Sequence, residues 1–329
     1  MTDVFQSLLP ARLPEPKEAE AYAPSNIALS KYWGKRDAAL NLPLNSSLSI
    51  SLGGWGTTTK LFPADRDEVT LNGEMLDPSD GFARKAFAYV DRFRRGQHLP
   101  LRIETTNTIP TAAGLASSAS GFAALTKALD GAFGLSLADS ELSHLARYGS
   151  GSATRSFWHG FVRWDRGEAA DGRDSFAQPL EAPWPAFRIA ILTVDTGPKA
   201  HSSRDGMTHT AETSPLFAEW PAQAEADCAA IGAAIQAQDF PTLGALAEAN
   251  ALAMHATMFA ARPALTYLKP QTWEVLARLW DAREEGLMAF ATMDAGANVK
   301  LVFLEDSEAD VLRLFPDARV IDPFGYGDF

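Results

Sequence analysis

Cysteine is almost missing from this 329-residue chain, and its scarcity excludes several classes at once. The single Cys228 cannot close an internal disulfide, and the six histidines form no Cys/His cluster of zinc spacing, so neither a disulfide scaffold nor a zinc module is indicated. A reducing interior suits such a chain, with Cys228 expected as a buried, inert thiol. Long apolar runs are missing too. Nowhere do about 18 apolar residues follow one another, and the opening MTDVFQSLLPARLPEPKEAE lacks the basic start and apolar stretch of a secretory signal. The expectation is a cytoplasmic protein with no membrane partner. Basic charge is in short supply as well: 29 Lys and Arg face 41 Asp and Glu, a net charge of −12. Nucleic acids are held by basic surfaces, so none is an expected partner, and any small anionic substrate needs a locally positive pocket. No glycine-rich run ends in Gly-Lys-Ser/Thr at the spacing of a Walker A loop.

What is present is a 46% apolar chain, enough to fill one large domain or two closely packed ones. Residues 1–20, with three prolines and several charges, read as a loosely attached arm. Alternating apolar and polar residues predict short strands over 47–52, 57–61 and 68–71, with Asn72-Gly73 as a turn, so an antiparallel sheet opens the protein. Helical spacing follows over 82–93, a strand over 99–104, and helices over 115–133 and 140–148, the last capped by Ser140. A strand is expected over 161–164. The Gly-, Asp- and Pro-rich stretch 168–185 marks a boundary between halves of 21–185 and 186–329. The second half predicts a strand over 187–194, Ala-rich helices over about 214–260 and 270–285, and strands over 287–291 and 299–303. Strands followed by grouped helices in each half predict an α+β fold.

Five segments carry chemistry. Ile109–Gly121, IPTAAGLASSASG, places small residues at the entry to a helix, where free N–H groups and the positive dipole end suit an anion; a tightly packed helix start has the same composition. Asn26–Asp37, NIALSKYWGKRD, sets Lys31 and Lys35 beside Tyr32 and Trp33. It reads either as paired ammonium groups for a polyanion or as a solvated turn with aromatic anchors. Gly149–Ser156, GSGSATRS, offers N–H groups, hydroxyls and Arg155 to a carboxylate or phosphate, or is a plain linking loop. Ser202–Met207 adds Ser203 and Arg204, alternatively a helix cap. Thr292–Asn298, TMDAGAN, displays Asp294 at a strand end, as a base or as an Asx-type turn.

Taken in order, APSNIALSKYWGKRD with LNLPLNSSLSISL, IPTAAGLASSASGFAAL, GSGSATRSFWHGFVRW, HSSRDGMTHTAETSPLF and MDAGANVKLVF closely resemble the diphosphomevalonate decarboxylases of the GHMP kinase superfamily, over 23–303. The resemblance implies an α+β GHMP kinase fold, with a ribosomal protein S5 domain 2-like N-terminal half, a ferredoxin-like C-terminal half and the active site between them. It implies ATP and Mg²⁺ as cofactors, 5-diphosphomevalonate as substrate, isopentenyl diphosphate as product, and a homodimer. By similarity Asp294 orients or deprotonates the 3-hydroxyl, Lys31 stabilises charge there, and Arg155 grips the carboxylate with Asn26 nearby. Ala113, Gly114, Leu115, Ala116, Ser117, Ser118 and Ala119 would cradle the ATP phosphates, with Ser118 beside Mg²⁺. Tyr32, Lys35, Ser150, Ser152, Ser203 and Arg204 would bind the diphosphate end or close over the nucleotide.

Three positions depart from the family pattern. An arginine near the start of the helix after the LNGE turn is usual, but ungapped matching puts Phe82 there. Either Arg84 takes its role, or the terminal phosphate is held less strongly and 5-phosphomevalonate is the substrate, giving isopentenyl phosphate. A kinase of the same superfamily that stops after phosphorylation is the other alternative. Ala297 in place of proline and Thr154 in place of a frequent cysteine read as tolerated changes.

Overall fold

A computed structural model describes residues 4–108, 118–197 and 201–325. The first half runs α1 (Val4–Leu8), β1 (Ala19–Ser30), β2 (Lys35–Asp37), β3 (Leu42–Pro43), β4 (Ser47–Pro63), β5 (Glu68–Leu71), β6 (Glu74–Met75), α2 (Gly81–Arg94), β7 (Leu101–Asn107), α3 (Ser118–Phe133), α4 (Asp139–Ala146), β8 (Phe161–Trp164) and β9 (Ala177–Pro179). The second runs β10 (Phe187–Leu192), α5 (Ser203–Thr213), α6 (Trp220–Ala237), α7 (Phe240–Phe259), α8 (Pro270–Glu284), β11 (Ala289–Thr292), β12 (Val299–Leu304), α9 (Glu308–Leu314) and β13 (Arg319–Ile321). This is the α+β fold that the patterning predicts.

β4 is the spine of the first half. Its early residues pair with β8 and its later ones with β7, while β1 runs antiparallel along its length. The described strands order as β6-β5-β7-β4-β8-β9, with the β5–β7 pair parallel and β1 attached to β4. The sequence pattern splits β4 in two because Gly53-Gly54 interrupts the alternation. The chain instead passes through Gly53 at φ +56° and stays in the sheet, a conformation that glycine adopts without steric penalty. In the second half the order is β11-β12-β10-β13, all antiparallel.

The two halves share a core. Ile27 and Leu29 of β1, Leu48 and Ile50 of β4 and Phe161 of β8 pack with Ile189 and Ile191 of β10, Leu301 of β12, and Ile231 and Leu243 of α6 and α7. A second core lies among α2, α3, α4 and the far end of the sheet. There α2 and α3 are joined by a 2.7 Å hydrogen bond between the hydroxyls of Tyr89 and Thr126.

Two local expectations are corrected. α4 begins one residue before Ser140, and the N–H of Ala138 donates to the Glu141 carboxylate at 2.9 Å, so Ser140 is not the cap. The residues read as a loose arm are packed from Val4 onward: Val4, Phe5, Leu9 and Leu13 are buried in the second core. Phe5 sits edge-on to Tyr89, Phe93 and Tyr148, and Arg92 lies 4.8 Å over its ring. Proline and charge signalled a flexible segment, but four apolar side chains outweigh them. Phe5→Ala is therefore expected to destabilise the protein by about 3–5 kcal/mol, the usual cost of emptying an aromatic site in a core. Urea denaturation checks this; an unchanged midpoint would mean that the arm is not held.

Candidate active site

β1 carries register shifts between Pro24 and Asn26 and between Ala28 and Ser30, and such irregularities re-aim side chains near sites. Just past its end, the Lys31 backbone is fixed from both sides. Its N–H donates to Asn250 Oδ1 at 2.8 Å, and its C=O accepts from Asn45 Nδ2 at 2.8 Å. Asn250 in turn donates to Asp227 at 2.8 Å, anchoring Lys31 to α6 and α7. The side chain is buried, and its ammonium donates to Ala28 O at 2.7 Å and to Asp294 Oδ1 at 2.9 Å.

Asp294 stands on the turn between β11 and β12. That turn is held by Asn298, whose Oδ1 accepts the N–H groups of Val194 and Asp195 at 2.7 and 2.9 Å, and by Thr272, which donates to Ala297 O at 2.8 Å. The Asp294 carboxylate faces Lys31 with one oxygen and, with the other, Lys300 Nζ at 3.4 Å. Burial lowers the Lys31 pKa to about 8; Asp294 opposes that shift, while Lys300 and Arg155 add to it.

Arg155 closes a short 3₁₀ turn, Gly151–Arg155, after α4. Thr154 caps that turn by donating to Gly151 O at 2.8 Å, and Asn26 Nδ2 binds Ser156 Oγ at 2.7 Å and Ser152 O at 3.3 Å. The guanidinium is buried, donates to Ser47 Oγ at 2.5 Å and lies 5.8 Å over the Trp164 ring. Its Nε lacks a partner among the described residues, and burial lowers its pKa to about 10. Tyr32 packs against the same turn. A Cβ on Gly151 would come within 2.7 Å of the Tyr32 ring, so the close approach requires glycine, and the Tyr32 hydroxyl has no partner among the described residues.

Asn26, Lys31, Tyr32, Lys35, Ser118, Ala119, Ser150, Ser152, Arg155, Ser203, Arg204 and Asp294 all line one cavity of about 630 Å³. Ala113, Gly114, Leu115, Ala116 and Ser117 lie outside the described residues. Ser118 opens α3, two residues before Ser120, whose hydroxyl is spent in the core on Ser25 and Thr57. Ser202 caps α5 by accepting the Asp205 N–H at 3.1 Å, leaving Ser203 and Arg204 to face the cavity. Lys35 is half-buried beside Arg204, and burial followed by that like charge lowers its pKa to about 8. Among the described residues six cations line the space, Lys31, Lys35, Lys85, Arg155, Arg204 and Lys300, against two carboxylates, Asp205 and Asp294. In a protein of net charge −12 that reversal of sign marks a polyanion site.

Lys300 and Lys85 are absent from the sequence reading. Lys300 had a readable signal, a charge inside the apolar run Val299–Leu304. Lys85, exposed on α2 one turn before Tyr89, is among the residues that line the cavity. Arg84, the residue expected to replace the missing arginine, is exposed and outside the cavity lining, while Phe82 packs against the second core. The cation that α2 presents is Lys85.

The chain is similar to known proteins over most of its length. A family model for a diphosphomevalonate decarboxylase-like N-terminal domain matches residues 23–177, and one for a mevalonate 5-diphosphate decarboxylase C-terminal domain matches 189–321. The chain is 40% identical over 318 residues to the diphosphomevalonate decarboxylase of Aspergillus fumigatus, covering 88% of this chain and 78% of that protein. It is 38% identical to the Homo sapiens diphosphomevalonate decarboxylase, covering 88% and 77%. The crystal structure of mevalonate diphosphate decarboxylase from Staphylococcus aureus superposes with a TM-score of 0.87 at 38% identity, over 93% and 95% of the two chains. A structure described as MDDEF in complex with MVAPP, AMPPCP and magnesium gives 0.87 at 37%, over 92% and 96%.

Asp294 supports the charged form of Lys31, so removing its charge favours the neutral amine. In Asp294→Asn the Lys31 pKa is expected to fall below its value of about 8. NMR of isotopically labelled lysine side chains across a pH titration checks this; a Lys31 titration that stays in place or moves upward would contradict the ion pair.

Proposed function

The chain belongs to the diphosphomevalonate decarboxylase family, and from that premise we propose that its cavity phosphorylates the tertiary 3-hydroxyl of 5-diphosphomevalonate with ATP and then releases CO₂ and phosphate, leaving isopentenyl diphosphate. The fold is the GHMP kinase fold of that family. The observation that carries the reading is the Lys31–Asp294 pair facing the same cavity as Arg155.

The chemistry follows from those groups. Hydroxide leaves carbon poorly and phosphate leaves it well, so esterifying the hydroxyl creates the leaving group. Its departure draws the electron pair of the carbon–carboxylate bond into a new double bond as CO₂ separates. Asp294 accepts the hydrogen bond of the 3-hydroxyl and takes its proton as the oxygen attacks phosphorus. The Lys31 ammonium stabilises charge on that oxygen. Arg155, fixed by Ser47 and Trp164, grips the carboxylate through its guanidinium fork, with Asn26 holding the turn in place.

ATP supplies the phosphoryl group, and Mg²⁺ neutralises charge on its phosphates. The residues fit both. Mg²⁺ commonly keeps several waters and takes one or two protein oxygens beside phosphate oxygens, and the Ser118 hydroxyl lines the cation-rich cavity where such an oxygen is called for. Ser118, on the first turn of α3, is the residue for Mg²⁺, and Ala113–Ala119 are the residues for the nucleotide phosphates. Tyr32, Lys35, Ser150, Ser152, Ser203 and Arg204 receive the diphosphate end. Lys85 adds a cation for the phosphate groups, which favours the diphosphate over the monophosphate. The two units divide at 185/186, the first extended by the segment that packs from Val4 onward. The setting is a cytoplasmic homodimer acting on small molecules, a reading supported by the free, buried Cys228 thiol and by the family resemblance.

The wild-type protein with ATP, Mg²⁺ and 5-diphosphomevalonate is expected to release CO₂ and ADP in equal amounts. ADP without CO₂ would leave a kinase, and turnover of 5-phosphomevalonate alone would overturn the substrate. Asp294→Ala should lose about 10²–10⁴-fold in kcat while still binding nucleotide. Arg155→Lys should lower CO₂ release far more than nucleotide affinity, because lysine lacks the planar fork. Since the Lys31 ammonium is the working form, kcat should decline as pH rises through about 8. A flat alkaline profile to pH 10 would remove Lys31 from that role.

A further inference from the structure

Lys300 occupies a place where lysine is costly. It lies in β12 between Val299 and Leu301, opposite Thr292 and Ile191 on the flanking strands, and its side chain is 3% exposed. A lysine so deep is normally paired closely or replaced by an apolar residue. Its ammonium carries three donors, yet among the described residues it makes only two contacts, both long: Asp294 Oδ2 at 3.4 Å and Asn298 O at 3.4 Å. It also lines the cavity.

We propose that Lys300 is a second ammonium of the reacting centre, clamping Asp294 from the side opposite Lys31 and directing its remaining N–H at an anionic oxygen bound in the cavity. The charge count supports this. Lys31, Lys300 and Arg155 surround the single Asp294 carboxylate, so positive charge in excess sits in a buried space, a state that an incoming anion relieves. Among the described residues, His255 on α7, Tyr32 and Cys228 also face this cluster; burial, then Lys31, lowers the His255 pKa to about 4, and burial raises those of Tyr32 and Cys228, so none adds charge at neutral pH. The oxygen belongs either to the phosphoryl groups of the nucleotide or to the carboxylate-bearing substrate, two sources of one chemistry. The inference rests on the reaction proposed above.

Two variants test it, K300M, which keeps length and removes charge, and K300R, which keeps charge. Removing Lys300 leaves Asp294 paired with Lys31 at 2.9 Å and creates no uncompensated buried charge, so K300M should retain its unfolding midpoint. It should lose about 10²-fold in kcat, comparable to the loss of one charge-stabilising donor. The alkaline limb of its pH profile should move upward, because the like charge that favours the neutral form of Lys31 is gone. Calorimetric titration with Mg²⁺-AMPPCP and, separately, with 5-diphosphomevalonate should show at least one of the two weakened, identifying which anion meets Lys300. K300R should keep the limb in place. Wild-type kcat, limb and both affinities in K300M would overturn the proposal; should K300M not fold, K300R and K300Q decide by the same measurements. If the wild-type protein releases no CO₂, the reaction fails as a reading, and the titrations still judge Lys300.

Discussion

Everything in the cleft depends on one half-buried carboxylate being held between two buried ammonium groups. A buried ion pair gains stability only where its geometry is tight and the remaining donors and acceptors are met, because desolvation of the charges otherwise exceeds their attraction. Lys31 and Asp294 come from opposite halves of the chain and meet at 2.9 Å. Neither is placed by its own side chain alone. Lys31 is placed by Asn250 and Asn45 on its backbone, and Asp294 by Asn298 and Thr272 on its turn. The amides do the positioning so that the charges remain available for chemistry.

That division of labour explains why the two halves share a core. If the sheet of β1 and β4 met the second half only through a polar seam, small rotations would separate Lys31 from Asp294 by more than hydrogen-bond reach. The packing of Ile27, Leu29, Leu48 and Ile50 against Ile189, Ile191 and Leu301 removes that freedom. The buried bonds of Thr292 Oγ1 to Ala28 O and of Asn250 to Lys31 N–H stitch the same seam. Close-packed interiors resist deformation, so the spacing of the pair is inherited from the apolar contacts around it.

Much of this was legible in the sequence, and the failures have identifiable causes. The strand over 161–164 was read with its observed bounds, and the helix over 82–93 within a residue at each end, because their periodicities were unbroken. β1 escaped notice as a complete strand because AEAYAPSNIALS does not alternate: it is covered on both faces toward its end and bent by bulges where Asn26 and Lys31 are displayed. The loose-arm reading failed because proline density spoke louder than the four apolar residues that anchor the segment. In the site, glycine, serine and arginine clusters drew attention because they break local patterns, and within the described residues they converge on one cavity. Lys300 and Lys85 were missed for opposite reasons. The first hid in an apolar strand and the second in an ordinary polar helix face, and only packing shows that both open onto the same space.

Phe82 shows how a position-by-position reading goes astray. Taken alone, an apolar residue where the family resemblance leads one to expect an arginine implies a weaker grip on the far phosphate. In the fold, Phe82 turns toward the second core, and the helix offers Lys85 to the cavity instead, one turn before the Tyr89 hydroxyl that binds α2 to Thr126 of α3. A phosphate is held by summed charge at short range rather than by a particular residue number, and lysine on its flexible stem delivers that charge from more than one starting point. Loss of a cation at one position is therefore offset in charge where the same helix supplies another at the cavity. The positive potential that a polyanion meets in the cleft is summed over Lys31, Lys35, Lys85, Arg155, Arg204 and Lys300, drawn from both halves of the chain.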